Sequence, residues 1–578
     1  MTLISSNNLA WWQKTVIYEV YPKSFLDTVG QGTGTLAGIT QKLDYFEELG
    51  VGVIWITPVY ASPMVDNGYD IADYYSIDPA YGTMDDMDEL IARAGERGIR
   101  IAMDLVFNHT SDQNAWFLES RSSRDNPKAD WYVWRDPAPD GGLPNNWRAV
   151  FGGPVWEWCE ERQQYYLHTF ATQQPDLNWE NPEVRQALYD VANWWADKGL
   201  GGFRIDAISY VKKPEGLPSC PPDDPDGSCF VATASINRPG ILDFLGEFKR
   251  EVQDGRDIFT LAETIGIDPE DMGGWVGADG VFDMLIEFSH VECHEPASRR
   301  WCDHEDGWSL TKLKSALTSS EVSTTSCGGW YPIYFENHDQ PRSVCNLLPV
   351  KPYSTDAAAK MLACVLFTLR GTPLLYQGQE LGYSNVTWDS IDRYDDIFCK
   401  DQYEVALAAG HSEEEAIAVV QRKSRDNART PMQWDSSPNA GFTTGKPWLP
   451  VHEDYETCNV AAEEADPDSV LRWYQRMARM RAGTEVLLAG SYEELMADSE
   501  QIYAFRRSLG TGEPEGGDAP GTGTLSDGPT VSITLANFSN DDAAYDPSLV
   551  EGMELLVSTR GDAVPGVLRP LEAVVYAG

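Results

Sequence analysis

Hydrophobic residues recur in short runs along the first two thirds of the chain, and amphipathic segments separate most of these runs. Eight of the runs predict strands, mostly with a helical pattern between one strand and the next. Strands that alternate with helices are typical of a parallel sheet, in which each strand is buried on both faces. The predicted strands are 16–21, 51–58, 99–107, 201–207, 259–262, 281–288, 331–335 and 373–376.

The number and order of these strands predict an α/β fold of the (β/α)8 TIM-barrel type. Periodicity fades over residues 108–179, a stretch too long for an ordinary connection, which indicates a domain inserted after the third strand. Beyond residue 485 short alternating runs predict a small antiparallel β domain. The predicted domains are the barrel (1–107 and 180–484), the inserted domain (108–179) and the C-terminal domain (485–578).

Three further segments stand out from this pattern. Residues 212–240 are rich in Pro, Asp and Cys and predict a long loop with little strand or helix. Residues 401–422 predict an added helical segment. Residues 510–529 are rich in Gly and Pro and predict a mobile loop.

Composition narrows the class of protein. The formal net charge of −46 over 578 residues argues against nucleic acid and acidic membranes as partners and favours a neutral or cationic ligand. No targeting pattern precedes the first strand, and no apolar run reaches the roughly 18 residues of a membrane span. The ten cysteines are scattered without metal-ligand spacing, which predicts reduced thiols and a cytoplasmic location. A Cys220–Cys229 bridge is the minor alternative.

The segment 201–207 is the centre of the predicted chemistry. Phe203 and Ile205 alternate with Arg204 and Asp206, so both charges share one face of the strand. Burying such charges costs several kcal/mol each, on the order given for buried ions, unless they are paired. A structural salt bridge is the plain alternative, and the ends of the other strands decide between the two.

Three carboxylates lie at the C-terminal ends of predicted strands, where barrels of this kind carry their functional residues. They are Asp206, Glu263 and Asp339, and His109 and His338 accompany them. Crowded carboxylates raise one another's pKa, which supplies a neutral acid beside an ionised nucleophile, the pair that cleaves a glycosidic bond. We expect Arg204 to keep Asp206 ionised.

Several motifs resemble the α-amylase superfamily, glycoside hydrolase family 13. Segments 104–109 (DLVFNH), 202–206 (GFRID), 262–264 (AET) and 337–342 (NHDQPR) are similar to its four signature regions. Segment 174–179 (QPDLNW) is similar to the fifth region of the oligo-1,6-glucosidase and α-glucosidase subgroup. Similarity to the same subgroup extends to segments 145–147 (NNW), 151–153 (FGG) and 429–434 (RTPMQW).

The resemblance implies a barrel with an inserted B domain, a C-terminal antiparallel β-sandwich, and retention of the α configuration. It implies that Asp206 is the nucleophile, Glu263 the acid/base and Asp339 the stabiliser of the transition state. It also implies a pocket for the non-reducing glucose, with Tyr69 as the stacking platform. The implied pocket residues are Asp66, Tyr69, His109, Arg204, His338 and Arg425, edged by Phe151, Phe170 and Gln174.

Two departures from the family pattern affect these expectations. The loop at 27–35 lacks the Asp-x-Asn-x-Asp ion site of many relatives, so no cofactor or metal is expected, with a structural calcium ion as the alternative. The sequence of this loop is more similar to that of trehalose-6-phosphate hydrolases. Such an enzyme needs cationic groups for the phosphate of its substrate, and Lys212 and Lys213 are the nearby candidates. Relatives strict for α-1,6 bonds tend to carry Val after the nucleophile, and Ala207 leans toward α-1,4 tolerance.

The expected function is a retaining, exo-acting α-glucosidase that releases glucose from the non-reducing ends of short α-1,4- or α-1,6-linked glucosides. The alternatives within the family are a trehalose-6-phosphate hydrolase and a sucrose isomerase or transglucosidase. A non-catalytic, transporter-associated relative would need a membrane helix and commonly lacks the carboxylates. The expected partner is a small oligosaccharide, with no nucleic acid and no membrane, and the oligomeric state, monomer or dimer, stays open.

Overall fold

A parallel eight-stranded barrel forms the body of the protein. The computed structural model describes residues 8–296, 298–303, 308–348, 355–510 and 528–578. The strands are β1 Ile17–Val20, β2 Val53–Ile56, β3 Arg100–Val106, β4 Gly202–Asp206, β5 Phe259–Glu263, β6 Met284–Ile286, β7 Pro332–Ile333 and β8 Thr372–Tyr376. Their order in the sheet is β6-β5-β4-β3-β2-β1-β8-β7, and every hydrogen-bonded pair is parallel. All eight lie where the hydrophobic pattern predicts them, which confirms the barrel.

The helices pack around this barrel and between its domains. They are α1 Leu36–Gln41, α2 Leu43–Leu49, α3 Met84–Gly95, α4 Ala115–Ser122, α5 Pro182–Asp197, α6 Val231–Ser235, α7 Ile241–Phe248, α8 Met272–Val276, α9 Leu310–Ser326, α10 Ser343–Asn346, α11 Thr355–Thr368, α12 Ile397–Ala408, α13 Glu413–Lys423, α14 Asp426–Arg429, α15 Val460–Ala465, α16 Val470–Ala482 and α17 Glu485–Ala489.

The added helical segment predicted at 401–422 consists of two helices, α12 and α13. Gly410 lies between them in the left-handed region with φ +95°, which an L-residue rarely adopts. Ser412 then begins α13 with a capping box, because its hydroxyl accepts the Glu415 N–H and Glu415 accepts the Ser412 N–H. These two signals explain the break.

The inserted region carries a three-stranded antiparallel sheet of Trp134–Arg135, Gln164–Leu167 and Trp156–Cys159. Another of its strands, Trp147–Arg148, pairs in parallel with Cys229–Phe230 from the predicted 212–240 loop. Strand Cys229–Phe230 and α6, which follows it directly, are the only strand and helix in residues 212–240, all of which are described. The segment therefore has little regular structure, as predicted. Cys220 and Cys229 are not joined by a disulfide bond.

The C-terminal domain contains a five-stranded antiparallel sheet and a short two-stranded one, as the alternating pattern predicts. In chain order the larger sheet is β9 Ser491–Leu495, β10 Ile502–Ser508, β11 Val531–Asn537, β12 Glu554–Ser558 and β13 Ala573–Ala577. Most of the predicted mobile loop at 510–529 lies outside the described residues. Among the residues that are described, no helix has the length and apolar content to cross a membrane.

A buried arginine joins this domain to the barrel. Arg507 on β10 donates to the Thr368 carbonyl at the C-terminus of α11 (2.8 Å) and to the Gly490 carbonyl (2.8 Å). Its Nε also donates to the Ser491 carbonyl at 3.0 Å. The last carbonyls of a helix have no partner within the helix, so this side chain satisfies one of them across the domain boundary.

We predict that Arg507→Met lowers the free energy of unfolding by about 3 kcal/mol, because buried carbonyl groups lose their donors. Denaturation with urea, followed by tryptophan fluorescence, measures the change. Arg506→Met is the matched control, since Arg506 on the same strand makes a partly exposed ion pair with Glu493 and should cost less than about 1 kcal/mol. Equal effects of the two substitutions would contradict the assigned role of Arg507.

Candidate active site

One buried arginine connects carboxylates from three neighbouring strands. The register of β4 places Arg204 beside Asp104 of β3, and its Nη1 donates to Asp104 Oδ1 at 2.7 Å and to Asp206 Oδ1 at 2.8 Å. Its Nη2 contacts Glu263 at the end of β5. Only 2% of Arg204 is exposed. The two predicted catalytic carboxylates of β4 and β5 are therefore held against a single guanidinium.

The third carboxylate, Asp339, lies in a separate cationic setting. Its Oδ1 accepts from Arg429 Nη2 at 2.8 Å and Arg425 Nη1 at 3.3 Å. Nε2 of His338 is 3.3 Å from its Oδ2. The three carboxylates thus meet in one region but have different partners.

A belt of polar side chains closes one side of this region. Arg425 reaches Asp66 at 3.4 Å, and Gln174 Nε2 donates to the other Asp66 oxygen at 3.2 Å. Gln174 Nε2 is also 3.2 Å from His109 Nε2. A buried carboxylate, Asp396, fixes Arg425 by accepting from its Nε at 2.9 Å and its Nη2 at 2.7 Å.

Aromatic rings pack against these polar side chains and against His338. Phe151 and Phe170 have ring centroids 5.7 Å apart, and Phe170 lies 5.1 Å from the ring of His109. The Arg425 guanidinium lies 5.1 Å from the centre of the Phe151 ring. Tyr69 stacks on His338 at 5.3 Å with an interplanar angle of 4°. The structure therefore brings all the residues predicted for the pocket into one connected cluster.

The environments of Asp206 and Asp339 push their pKa values in opposite directions. Burial raises the pKa of Asp206 to about 7, aided by Asp104 and Asp339, and Arg204 offsets only part of this. Burial acts on Asp339 too, but the guanidinium groups of Arg425 and Arg429 oppose it, and the pKa of Asp339 lies below the usual range. Arg204 lowers the pKa of Asp206, the direction expected from the sequence, but desolvation and two neighbouring carboxylates oppose it.

The backbone directly after Asp206 is strained. Ala207 has φ +45° and ψ +32°, a left-handed conformation that few residues with a side chain adopt. Such conformations cost about 1–3 kcal/mol and cluster at functional sites. Here the turn ends β4 immediately after the carboxylate and directs the chain into the 3-10 turn Ile208–Tyr210.

Sequence reasoning missed several members of this network. Asp104 lies within a recognised motif, but no signal in the sequence pairs it with Arg204 across two strands. Arg429 lies within segment 429–434, which resembles the α-glucosidase subgroup without revealing its contact with Asp339. Asp396 has no motif signal at all, and its role emerges only from its bonds to Arg425.

Lys212 and Lys213 pair with carboxylates other than the three at the strand ends. Both line a cavity of about 920 Å³ between the inserted domain and the segment after β4, and none of the predicted site residues lines that cavity. Lys212 pairs with Glu180 at 2.6 Å, and Lys213 pairs with Asp176 at 2.6 Å. Both cations are thus already neutralised by carboxylates.

The loop at the ion site of some relatives is closed by its own backbone. Asp27 Oδ1 accepts from the N–H groups of Val29 and Gly30, both at 2.9 Å, and Oδ2 accepts from Gly32 N–H and Thr443 Oγ1, both at 2.6 Å. These donors occupy the directions from which a cation would bind. Among the described residues, no three His, Cys, Asp or Glu side chains are arranged to hold a metal ion.

Three acids and a buried arginine at the strand ends of a parallel barrel define a class of protein, the barrel glycosidases. The α-amylase catalytic-domain profile matches residues 19–490. The chain is 43% identical over 501 residues to the probable oligo-1,6-glucosidase 3 of Bacillus subtilis (strain 168), covering 86% of this chain and 88% of that protein. It is 42% identical over 571 residues to the trehalose-6-phosphate hydrolase of Escherichia coli (strain K12), covering 98% of each.

Solved structures agree with these relatives. The trehalulose synthase of Pseudomonas mesoacidophila MX-45 superposes with a TM-score of 0.90 at 37% identity, covering 98% of this chain and 99% of that one. The chain belongs to the α-amylase family, glycoside hydrolase family 13, and is a glycoside hydrolase. The resemblance read from its motifs is confirmed.

We predict that kcat/KM falls on the acid side with a midpoint above that of an ordinary aspartate. A nucleophile acts in its ionised form, and Asp206 loses that form as the pH drops through its raised pKa. Initial rates with an α-glucoside from about pH 4 to about pH 8 measure the acid side of the pH profile of kcat/KM. A midpoint at or below about 4, the unperturbed aspartate value, would contradict the assignment.

We propose that the protein needs no metal ion, because backbone N–H groups satisfy Asp27. Dialysis against EDTA is expected to leave the melting temperature and kcat unchanged, and added calcium is expected to raise neither. Asp27→Ala is expected to lower the melting temperature, since Val29, Gly30 and Gly32 lose an acceptor. Loss of activity on chelation, restored by calcium, would overturn this proposal.

Proposed function

We propose that this glycoside hydrolase is a retaining, exo-acting α-glucosidase that releases glucose from the non-reducing ends of short, neutral α-glucosides. The observation that carries the proposal is the contact of one buried guanidinium, Arg204, with both Asp206 and Glu263. Two carboxylates at neighbouring strand ends are the groups that a double-displacement mechanism requires.

We assign the first chemical step to Asp206 and Glu263. Asp206 attacks the anomeric carbon and forms a glucosyl ester, while Glu263 donates a proton to the leaving oxygen. Glu263 then takes a proton from water, which attacks the same carbon and releases glucose with its α configuration restored. Asp339 stays ionised beside Arg425 and Arg429 and stabilises the positive charge that develops on the ring.

Exo action is supported by the polar belt around Asp66. The ion pair of Arg425 with Asp66, together with Gln174 and His109, blocks chain continuation beyond one sugar. The belt residues offer hydrogen bonds to the hydroxyl groups of a terminal glucose. The Tyr69 ring is the surface against which its apolar face is expected to stack.

A neutral substrate is favoured over a phosphorylated one. A phosphate needs cations with free donors, and Lys212 and Lys213 are paired with Glu180 and Asp176. Both lysines also line the neighbouring cavity rather than the site of the three carboxylates. We assign the preference for the glycosidic linkage to Ala207, the residue after Asp206, whose small side chain leaves room for both α-1,4- and α-1,6-linked leaving groups. We also propose a cytoplasmic location, which the absence of disulfide bonds among the cysteines of the described residues supports.

A panel of maltose, isomaltose, sucrose, trehalose and trehalose 6-phosphate tests the proposal, with products followed by proton NMR. We expect maltose or isomaltose to give the highest kcat/KM and α-glucose to appear before mutarotation. A preference for trehalose 6-phosphate would show that the protein is a trehalose-6-phosphate hydrolase instead. Conversion of sucrose to an isomeric disaccharide would show an isomerase.

The same panel is run with Asp206→Asn, which is expected to lower kcat by at least about a thousandfold because the nucleophile is lost. Asp271→Asn is the control, since Asp271 is an exposed carboxylate outside the site. Full turnover by Asp206→Asn would remove the proposed nucleophile.

A further inference from the structure

A second carboxyl group lies behind the active site and contacts it through one imidazole ring. Glu19 on β1 is fully buried, and its Oε1 lies 2.5 Å from Nδ1 of His338. Among the described residues, His338 is its only ion-pair partner within 4.0 Å. The other nitrogen of the ring, Nε2, lies 3.3 Å from Asp339 Oδ2. Glu19 is therefore one side chain removed from the proposed stabiliser of the transition state.

Stacking holds the plane of the His338 ring but does not prevent a half-turn about its Cβ–Cγ bond, which returns the ring to the same plane with each nitrogen in the place of a carbon. Tyr69 stacks on one side with an angle of 4° at 5.3 Å, and Tyr21 lies nearly parallel to the ring, with an angle of 19° at 6.2 Å. Stacking of this kind also does not decide which nitrogen carries the proton. Both choices depend on the hydrogen bonds at the two nitrogens.

The hydroxyl of Tyr69 decides the protonation of Nε2. Its oxygen lies 3.1 Å from Asp104 Oδ2 and 2.8 Å from His338 Nε2, and it has one proton to donate. Asp104 forms an ion pair with Arg204, and an ionised carboxylate is a stronger acceptor than a neutral imidazole nitrogen. The Tyr69 proton therefore points to Asp104, and Nε2 of His338 carries a hydrogen that it donates to the Tyr69 oxygen.

A proton must then lie in the short contact between Nδ1 and Glu19. Burial lowers the pKa of His338 to about 3; Asp339 opposes this, but Arg204 and Arg429 act in the same direction as burial, so the ring is neutral. Burial also raises the pKa of Glu19 well above its usual value, although Arg204 opposes this. The proton therefore resides on Glu19, and Nδ1 accepts it.

We infer that Glu19 is a positioning residue whose protonated carboxyl group anchors Nδ1 of His338 and so fixes the Nε2–H toward Tyr69 and Asp339. The inference rests on the proposed function, in which Asp339 stabilises the transition state. A neutral ring with a fixed donor leaves the negative charge of Asp339 available to the reacting sugar. A ring free to rotate would lose that arrangement.

Two substitutions of Glu19 separate anchoring from mere packing. Glu19→Gln keeps a donor for Nδ1 and is expected to retain kcat within about fivefold. Glu19→Leu fills a similar volume without a donor and is expected to lower kcat about 100-fold, the scale of a misplaced active-site group, with a smaller change in KM. Circular dichroism establishes that both variants are folded.

Nitrogen-15 NMR of histidine-labelled protein reads the tautomer without any need for turnover. We expect the His338 signals, assigned by their loss in His338→Gln, to show a protonated Nε2 and an unprotonated Nδ1 in the wild type and in Glu19→Gln. A protonated Nδ1 with a bare Nε2 in the wild type would overturn the inference, and so would Glu19→Leu with kcat within threefold of wild type. If Glu19→Leu fails to fold, the inference is tested by the tautomer of the wild type and by the tautomer and kcat of Glu19→Gln.

This design keeps two failures apart. A wild-type protein that cleaves no member of the sugar panel would refute the proposed function, whatever the tautomer. A wild-type protein that cleaves maltose or isomaltose but carries its His338 proton on Nδ1 would refute the role of Glu19 alone.

Discussion

The pairing of one buried guanidinium with carboxylates from three strands is the interaction on which the rest of the site depends. Removing a charge from water costs several kcal/mol unless partners compensate it. Arg204 has such partners because β3, β4 and β5 lie side by side in register and direct Asp104, Asp206 and Glu263 to the same end of the barrel. The barrel is therefore a requirement of the chemistry, since no local segment could bring these groups together.

The same principle gives similar side chains different roles. Asp206 and Asp339 are both aspartates at strand ends, yet burial among acids raises the pKa of the first and the surrounding cations lower that of the second. Behind them lies a further set of buried groups that holds these partners in place, with Asp396 fixing Arg425 and Glu19 contacting His338. The hydrogen bonds and ion pairs of this network stabilise one arrangement of the pocket in the unliganded protein.

The barrel strands and the residues at their ends could be predicted from the sequence, because the signals for them lie within short segments of the chain. Apolar runs locate the eight strands, and the polar residues at their ends, such as Asp206 and Glu263, follow directly from barrel geometry. What the sequence does not reveal depends on contacts between distant segments. Asp396 reaches Arg425 across 29 residues, and Cys229–Phe230 finds its strand partner in the inserted domain. Neither pairing leaves a periodic signal, because a two-residue strand or a single carboxylate has none.

The central claim is that Asp206 forms a covalent bond to glucose, and trapping that bond tests it most directly. Incubation with 5-fluoro-α-glucosyl fluoride slows the second step, and peptide mass spectrometry then locates the adduct. The account predicts one fluoroglucosyl group on the peptide that contains Asp206, formed with loss of activity. An adduct on another carboxylate, or rapid release of the fluoride with no covalent species, would contradict it.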